Sequence, residues 1–510
     1  MHFTHPLFSV AQIRAIEQDA AAPLPPGTLM RRAGAAAADA AAAILAQGGV
    51  RDGAQARVLL LVGPGNNGGD ALEAAAHLAR SGHRVVLWMA ASAAGAPAGS
   101  PERQAALALA TAGTASFSPS VAAIEAQSWD LVVDGLFGIG LSRPPAGDLR
   151  AAIMLVNRLD CPVLALDVPS GLDADSGAVV GPDGVAVRAS HTITFIGDKT
   201  GLHTCDGQDH AGTVQVADLE IERRLFPPAQ AGLNGTDLFG DRLRARRHNS
   251  NKGSYGSVAV VGGAHGMTGA PILAARSALY GGAGRVYIAF PDEAPAFDGG
   301  QPELMCRQAA DVDFDSAVLV VGPGLGDSGH ARALLLKAID SDSALLLDAD
   351  ALNMVAADAP LRAALARRAG SCVLTPHPLE AARLLDIDVR AVQADRPGCA
   401  RRLAAQLNAV VILKGSGTVI AGADGAIAIN RTGNPALATA GTGDVLGGLC
   451  GALLAQGWPL REAALGAVWL HGRAADVLVS QGHGPIGLTA HELMPAIRAE
   501  LNRLALRALS

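Results

Sequence analysis

The sequence predicts an α/β fold, and three observations carry that prediction. Half of the 510 residues are apolar yet only 3% are aromatic. Ala and Gly dominate instead, which suits helices and parallel strands packed closely rather than an aromatic-rich β-sandwich. Short apolar runs stop repeatedly at polar or Gly-rich loops, as strands of a doubly wound sheet do at their carboxyl ends. Two of those loops end in an aspartate ahead of a helical pattern: Gly63-Pro64-Gly65-Asn66-Asn67-Gly68-Gly69-Asp70, and the stretch from Asn434 through Gly441-Thr442-Gly443-Asp444. Glycine there bares backbone N–H groups at a helix N-terminus, where the macrodipole favours anions and the missing Cβ lets a phosphate come close.

The elements follow in order. Helical patterns cover Val10 to Asp19 and the Ala-rich Leu29 to Gln47. Arg57 to Val62 is a buried strand, Leu72 to Ser81 a helix and Arg84 to Ala90 a strand; Leu131 to Val133 ends at Asp134, and Val163 to Leu166 at Asp167. This alternation describes a Rossmann-like doubly wound domain. Between Ile221 and Asn251 the periodicity lapses into Pro227-Pro228, Asn234-Gly235 and a basic run, so a junction is expected near residue 230, with domains of 1–228 and 229–510. Strands then resume at Ser257 to Val261, Ala317 to Val321, Ala344 to Leu347, Cys372 to Leu374 and Val410 to Leu413, and a helix runs on from Val445. No short repeat relates the halves, which points to two different α/β folds.

Length alone implies roughly two to four domains. A formal charge of −7 and a pI near 6.0 argue against nucleic acid or an anionic membrane as partner, since both need a cationic face. The basic stretch Arg242 to Lys252 reads first as a solvated linker and second as a lure for an anionic nucleotide. Six scattered cysteines without a Cys-x-x-Cys pair read as reduced core thiols. There is no signal-peptide pattern and no membrane-length apolar run. The expected location is therefore the cytoplasm.

Gly63 to Gly68 formally matches G-x-G-x-x-G, so a nicotinamide dehydrogenase has to be weighed. The acid that should end the next strand is missing from Arg84-Val85-Val86-Leu87-Trp88-Met89-Ala90, which weakens that reading. Asn66, Asn67, Asp70, Asp134, Asp167 and Ser170 instead gather oxygen-bearing side chains on one crevice. Such a set suits a hard cation, and a carboxylate within it suits proton transfer; individually, each residue could equally cap a helix or turn a loop. In the second half, Gly441-Thr442-Gly443-Asp444 can hold a transferring phosphoryl group while Asp444 takes a proton from an attacking hydroxyl. Lys414-Gly415-Ser416-Gly417-Thr418 offers a cation, hydroxyls and amides to a polyphosphate, or forms a plain surface turn. Thr375-Pro376-His377-Pro378-Leu379-Glu380 sets a histidine and a carboxylate at a strand end.

Leu29-Met30-Arg31-Arg32-Ala33-Gly34, the loop ending Asn66-Asn67-Gly68-Gly69-Asp70, Val133-Asp134-Gly135-Leu136-Phe137-Gly138-Ile139-Gly140 and Ala165-Leu166-Asp167-Val168-Pro169-Ser170-Gly171 together resemble NAD(P)H-hydrate epimerases over about the first 220 residues. The resemblance implies that Asn67, Asp134 and Ser170 bind K+. It implies that Asn66, Asn67, Gly68, Gly69 and Asp70, with Gly138, Ile139, Gly140, Leu141, Ser142, Arg143 and Pro144, surround the hydrated nucleotide, and that Asp167 is the acid/base. Ala71 stands where this family usually has Gly; a helical N1 position tolerates it, at the cost of a methyl group added to the pocket.

From Asn249 onward, Lys252-Gly253-Ser254-Tyr255-Gly256, Gly262 to Ala270, Gly322-Pro323-Gly324-Leu325-Gly326 and Asp348-Ala349-Asp350-Ala351-Leu352-Asn353 join the loops above in resembling the ribokinase-like NAD(P)H-hydrate dehydratases. Carried across, Ala270, Gly324, His377 and Asp444 contact the hydrated cofactor. Lys414, Gly415, Ser416, Gly417, Thr418 and Gly443 hold the adenine nucleotide, and Glu380 steers Mg2+ through water. Bacterial members fused to an epimerase are typically ADP-dependent, so Mg2+ with ADP is expected rather than ATP. The implied substrates are NADHX and NADPHX, the R and S forms of the water adduct at C6 of the reduced ring, and the expected assembly is a homo-oligomer. Two competitors remain at this point: a ribokinase-class small-molecule kinase fused to a nucleotide-binding module, and a first domain that only recruits a partner.

Overall fold

A computed structural model of the protein describes residues 3–48, 55–90, 100–113, 115–368 and 372–507. Two compact units divide between Ala229 and Gln230, and the chain start through His5 groups with the second of them. That start is held there by Leu233 N donating to His5 O and by the Phe3 ring lying against Gly232, where any side chain would collide with it.

The first unit is built on a seven-stranded, all-parallel sheet. Its spatial order is Ser116–Phe117, Arg84–Met89, Arg57–Val62, Leu131–Gly135, Val163–Leu166, His191–Phe195, Thr213–Ala217. The inner strands bury both faces, as parallel strands covered by helices must, while the edge strands Ser116–Phe117 and Thr213–Ala217 are largely exposed. Along Arg57–Val62, Val58, Leu60 and Val62 join one apolar cluster and Leu59 and Leu61 the other, the two-residue alternation of the pleat. The chain runs outward from Arg57–Val62 on one side, then returns to its other side with Leu131–Gly135. This order reversal opens a crevice at the carboxyl ends of those two strands, the place where open α/β sheets bind ligands. A short parallel pair, Pro6–Phe8 with Asp198–Lys199, lies apart from this sheet.

The second unit carries ten strands in the order Met305–Gln308, Arg285–Phe290, Ser257–Val261, Val318–Val321, Leu345–Leu347, Cys372–Leu374, Val410–Leu413, Val419–Ala421, Ile427–Asn430, Ala231–Asn234. Val419–Ala421 is antiparallel to both of its neighbours and the other pairings are parallel. Here the order reverses between Ser257–Val261 and Val318–Val321, so Gly262-Gly263 and Gly322 to Gly326 face each other. Gly263 N and Ala264 N both donate to Gly324 O. Helices Gly269–Tyr280 and Thr442–Ala455 pack so closely that a Cβ on Gly448 would strike the Ala274 carbonyl. The Gly- and Ala-rich composition is what permits this approach.

The strand readings hold to within a residue or two, and so do the helix starts at Val10 and Leu29, whereas two helix starts need correction. Helix Asn66–Arg80 begins at Asn66, not Leu72, so Asn66 to Asp70 form its first turns and the true loop is Gly63 to Gly65. Likewise helix Thr442–Ala455 already contains Gly443 and Asp444. Glycine pairs disfavour helix locally, but tertiary packing requires them: a side chain on Gly68 would run into the Gly63 backbone, and one on Gly69 would meet Met30 at 2.5 Å. Ala71 is therefore well inside a helix rather than at N1. Its methyl points at Gly135, where a Cβ would sit only 2.5 Å away, and it does not line the pocket.

Candidate active sites

The crevice of the first unit holds a cavity of about 380 Å³, and Asn66, Asn67, Asp70, Gly138, Ile139, Gly140, Leu141 and Asp167 all line it. Gly68 and Gly69 stand behind it in the helix, as close-packing residues. Ser142, Arg143 and Pro144 lie exposed on the run beyond it.

Asp167 follows the strand end in a left-handed backbone conformation, φ 67°, a strained position of the kind found at functional sites. Two donors fix its carboxylate. Lys199 Nζ lies 2.6 Å from Oδ1, and Ile139 N donates to Oδ2 at 3.1 Å. Lys199 is completely buried and spends its remaining donors on Thr194 Oγ1 and the Phe195 carbonyl, both at 2.7 Å. A buried ammonium so fully engaged is tolerated only because its partner is an anion. Gly138 leaves room for this carboxylate, since a Cβ there would stand 2.6 Å from Asp167 Oδ2. Gly138→Ala should therefore displace Asp167 and lower the rate at this site about 10²-fold, with the second site unaffected, as initial rates at each would show.

Beneath the cavity, Asp134 is completely buried and accepts from Ser170 N (2.8 Å), Ser170 Oγ (2.7 Å) and Leu136 N (3.2 Å). Burial pushes its pKa up to about 6, against the pull of these bonds. Asn67 donates to the Leu166 carbonyl while, among the described residues, its buried Oδ1 has no partner. A buried amide oxygen left over in this way asks for a partner, and amide, carboxylate and hydroxyl oxygens are the donor types that suit a hard monovalent cation.

Sequence reasoning missed Lys199 and Glu17. Lys199 stands in Gly197-Asp198-Lys199-Thr200, and the one available signal was a lone cation just after an apolar strand. Glu17, on helix Val10–Ala21, enters the cavity wall with Ile13 and Arg14. Its helix was read correctly, but periodicity cannot say which ligand a helix faces.

In the second unit the loops named from sequence meet at the carboxyl ends of the central strands. Lys414 Nζ pairs with Asp348 Oδ1 at 2.8 Å. A methyl on Gly443 would come 3.4 Å from that Nζ, which places the pair against the first turn of helix Thr442–Ala455. Asp444 belongs to the same turn. Burial, then the negative charges of Asp348 and Asp350, push its pKa up to about 7, with Lys414 pulling the other way. A carboxylate poised near neutrality is suited to taking a proton and giving it up again. Gly324 (φ 57°), Gly415 (φ 136°) and Gly417 (φ 57°) supply backbone conformations that a side chain would strain. Ala270 opens helix Gly269–Tyr280 beside them, and Thr418 Oγ1 donates to the Gly415 carbonyl, closing the turn that also holds Ser416.

His377 caps helix Pro378–Leu385, its Nδ1 accepting from Leu379 N (3.1 Å) and Glu380 N (3.4 Å). With Nδ1 used as acceptor, the neutral ring carries its proton on Nε2, which lies 3.3 Å from Glu380 Oε1. Burial and the Lys414 charge hold the His377 pKa below its usual value. The Nε2–H of His377 is thus directed at Glu380 Oε1. Asp348 and Asp350 were read only as parts of a motif. The first anchors Lys414, and the second accepts from Gly326 N at 2.9 Å to fix the facing loop.

Fold and sites together define a class: a two-site α/β enzyme, with a Rossmann-like acid–base unit followed by a ribokinase-like phosphoryl-transfer unit. Residues 26–201 match the family model described as YjeF-related protein N-terminus, and residues 258–499 match the one described as NAD(P)H-hydrate dehydratase. The bifunctional NAD(P)H-hydrate repair enzyme of Coxiella burnetii is 37% identical over 87% of this chain and 90% of its own length, and that of Escherichia coli 35% identical over 87% and 85%. The ADP-dependent (S)-NAD(P)H-hydrate dehydratase of Neisseria meningitidis is 47% identical over 51% of this chain and 90% of its own. The chain belongs to the bifunctional NAD(P)H-hydrate repair enzyme family.

Proposed function

We propose that the first unit interconverts the R and S epimers of hydrated NADH and NADPH, and that the second dehydrates the S form at the expense of ADP. The observation that supports this best is the presence of two strand-end sites in one chain, each with a carboxyl set for proton transfer: Asp167 on buried Lys199, and Asp444 on the helix turn beside Lys414. In the second site Asp444 takes the proton of the C6 hydroxyl. The freed oxygen attacks the terminal phosphorus of ADP, and AMP leaves. The phosphate ester then departs from C6 as inorganic phosphate while C5 loses a proton, which restores the C5–C6 double bond. N–H groups of the first turn, Gly443 among them, and the Lys414 ammonium meet the charge that grows on the phosphoryl oxygens.

Lys414 to Thr418 with Gly443 bind the nucleotide in this reading, while Ala270, Gly324 and His377 contact the hydrated ring and Glu380 orients Mg2+. Asn67, Asp134 and Ser170 would hold potassium, which supplies a fixed positive charge under the epimerase cavity. The assembly is taken to be a cytoplasmic homo-oligomer, which light scattering checks directly. Among the described residues no helix is long and apolar enough to cross a membrane.

The test follows absorbance of the reduced nicotinamide while the protein acts on mixed R and S NADHX with Mg2+ and ADP. Full recovery by the parent, and recovery limited to the S fraction by Asp167→Asn, are the expected results. A stable phosphate ester with no gain of absorbance would instead identify a small-molecule kinase. Full recovery by Asp167→Asn would make the first unit a binding module.

A further inference from the structure

Inverting C6 without changing constitution asks for more than one proton carrier. The N1 lone pair can expel the C6 hydroxyl, forming a C6–N1 double bond as the C6–O bond breaks, provided that the oxygen receives a proton and leaves as water. Water then adds to the opposite face, the double bond returns to N1 as a lone pair, and the incoming oxygen must shed a proton. Nothing is consumed. One carboxyl on one wall serves one face, so a site of this kind begins with one carboxyl protonated and one ionised and ends with the two exchanged.

The cavity of the first unit is walled by three carboxyls from three separate elements: Glu17 on helix Val10–Ala21, Asp70 on helix Asn66–Arg80, and Asp167 after strand Val163–Leu166. They differ in partners. Asp167 is tied to the buried ammonium of Lys199 and to Ile139 N. Asp70 is 9% exposed, and among the described residues no Lys, Arg or His forms an ion pair with it. Its charged neighbours are the carboxyls of Asp167, Glu17 and Glu73. Glu17 is half-buried within reach of Asp167, Lys199 and Arg14. One buried ammonium among this many carboxyls cannot support all of them ionised.

We propose that Asp70 is the second catalytic carboxyl of the epimerase site, acting on the face of C6 opposite Asp167, and that Glu17 carries the proton back between them after each inversion. This rests on the epimerase reading above. The asymmetry that the reaction needs is built into the walls: the Asp167 carboxyl is bonded to the Lys199 ammonium, whereas among the described residues no cation pairs with Asp70, whose charged neighbours are carboxyls. Burial, then the charges of Asp167, Glu17 and Glu73, raise the Asp70 pKa well above its ordinary value, and burial raises that of Glu17. Glu17 lines the same cavity, and its charge acts on both Asp167 and Asp70.

The test uses the full-length protein with separated R and S NADHX. The protein's own ADP-dependent dehydration reports on both: the S epimer is restored directly, the R epimer only after inversion. Once the protein-free rate is subtracted, Asp70→Asn is expected to lower kcat for the R epimer at least 10²-fold relative to the parent, with KM within about threefold. The S epimer should be processed at the parent rate, and Asp70→Glu should regain at least a tenth of the lost activity. Glu17→Gln should leave the first turnover near the parent rate but slow steady-state turnover about tenfold, because proton return follows the first inversion. R-epimer turnover by Asp70→Asn within threefold of the parent, or a loss confined to KM, overturns the proposal. If that happens while Asp167→Asn is inactive, only the role of Asp70 falls; if the parent itself leaves the R epimer untouched, the epimerase reading falls with it.

Discussion

Asp444→Asn is expected to stop dehydration of the S epimer while making the protein more stable. Loss of a general base costs roughly 10²–10⁴-fold in rate, and an amide at this position cannot accept the proton of the C6 hydroxyl. The stability change follows from the environment that makes Asp444 useful. Burial and the neighbouring Asp348 and Asp350 lift its pKa to about 7 in the folded protein, far above that of an exposed aspartate. The folded state therefore holds a proton that the unfolded chain has lost. The stability tied to this proton is complete below the unfolded pKa and is lost as pH rises through about 7. At pH 8 the parent bears the whole cost of a buried, crowded carboxylate, so the neutral Asn should raise stability by about 2–4 kcal/mol there and by little at pH 4. Urea titrations at the two pH values check the sign. For the parent, the dehydration rate should climb with pH to a plateau above about 7, as the base becomes ionised. A flat profile would move the proton acceptor elsewhere.

Lys199→Met should have the largest effect on the first unit. It removes a fully buried ammonium from three partners and strands the Asp167 carboxylate beside a thioether. Breaking one half of a buried ion pair typically costs about 3–5 kcal/mol, enough to lower the urea midpoint of this unit visibly. Inversion of the R epimer should disappear with it. The double variant Lys199→Met, Asp167→Asn separates the two causes: neutral groups on both sides remove the stranded charge, so stability should largely return while inversion does not. A double variant no more stable than Lys199→Met would show that packing, and not charge pairing, is what Lys199 provides.

Much of this was legible in the residues because βα units write their sites into strand ends. Arg57–Val62 and Val163–Leu166 were bounded correctly by apolar runs alone; Asp134 and Asp167 were singled out because each ends such a run, and Asp444 because it closes a Gly-rich loop ahead of a helix. What escaped notice depended on contacts across long sequence separations. Lys199 is 32 residues from the carboxylate it neutralises, and Lys414 is 66 from Asp348. Neither spacing has a local signature. The early helix starts at Asn66 and Thr442 were hidden for the opposite reason. Propensity argues against Gly-Gly and Thr-Gly inside a helix, and only the neighbouring backbone explains why small residues are needed there.

The glycines that let helices Gly269–Tyr280 and Thr442–Ala455 touch do more than save volume. Both helices start at the dehydratase loops, and Leu273 of one reaches Gly441 at the head of the other, so their positive ends are held side by side. Like poles repel. The apolar contact around Gly448 and Ala274 works against that repulsion and keeps a local electric field in place before any anion arrives. An anion bound at these ends would ease that repulsion, so a packing contact it never touches would add to its affinity.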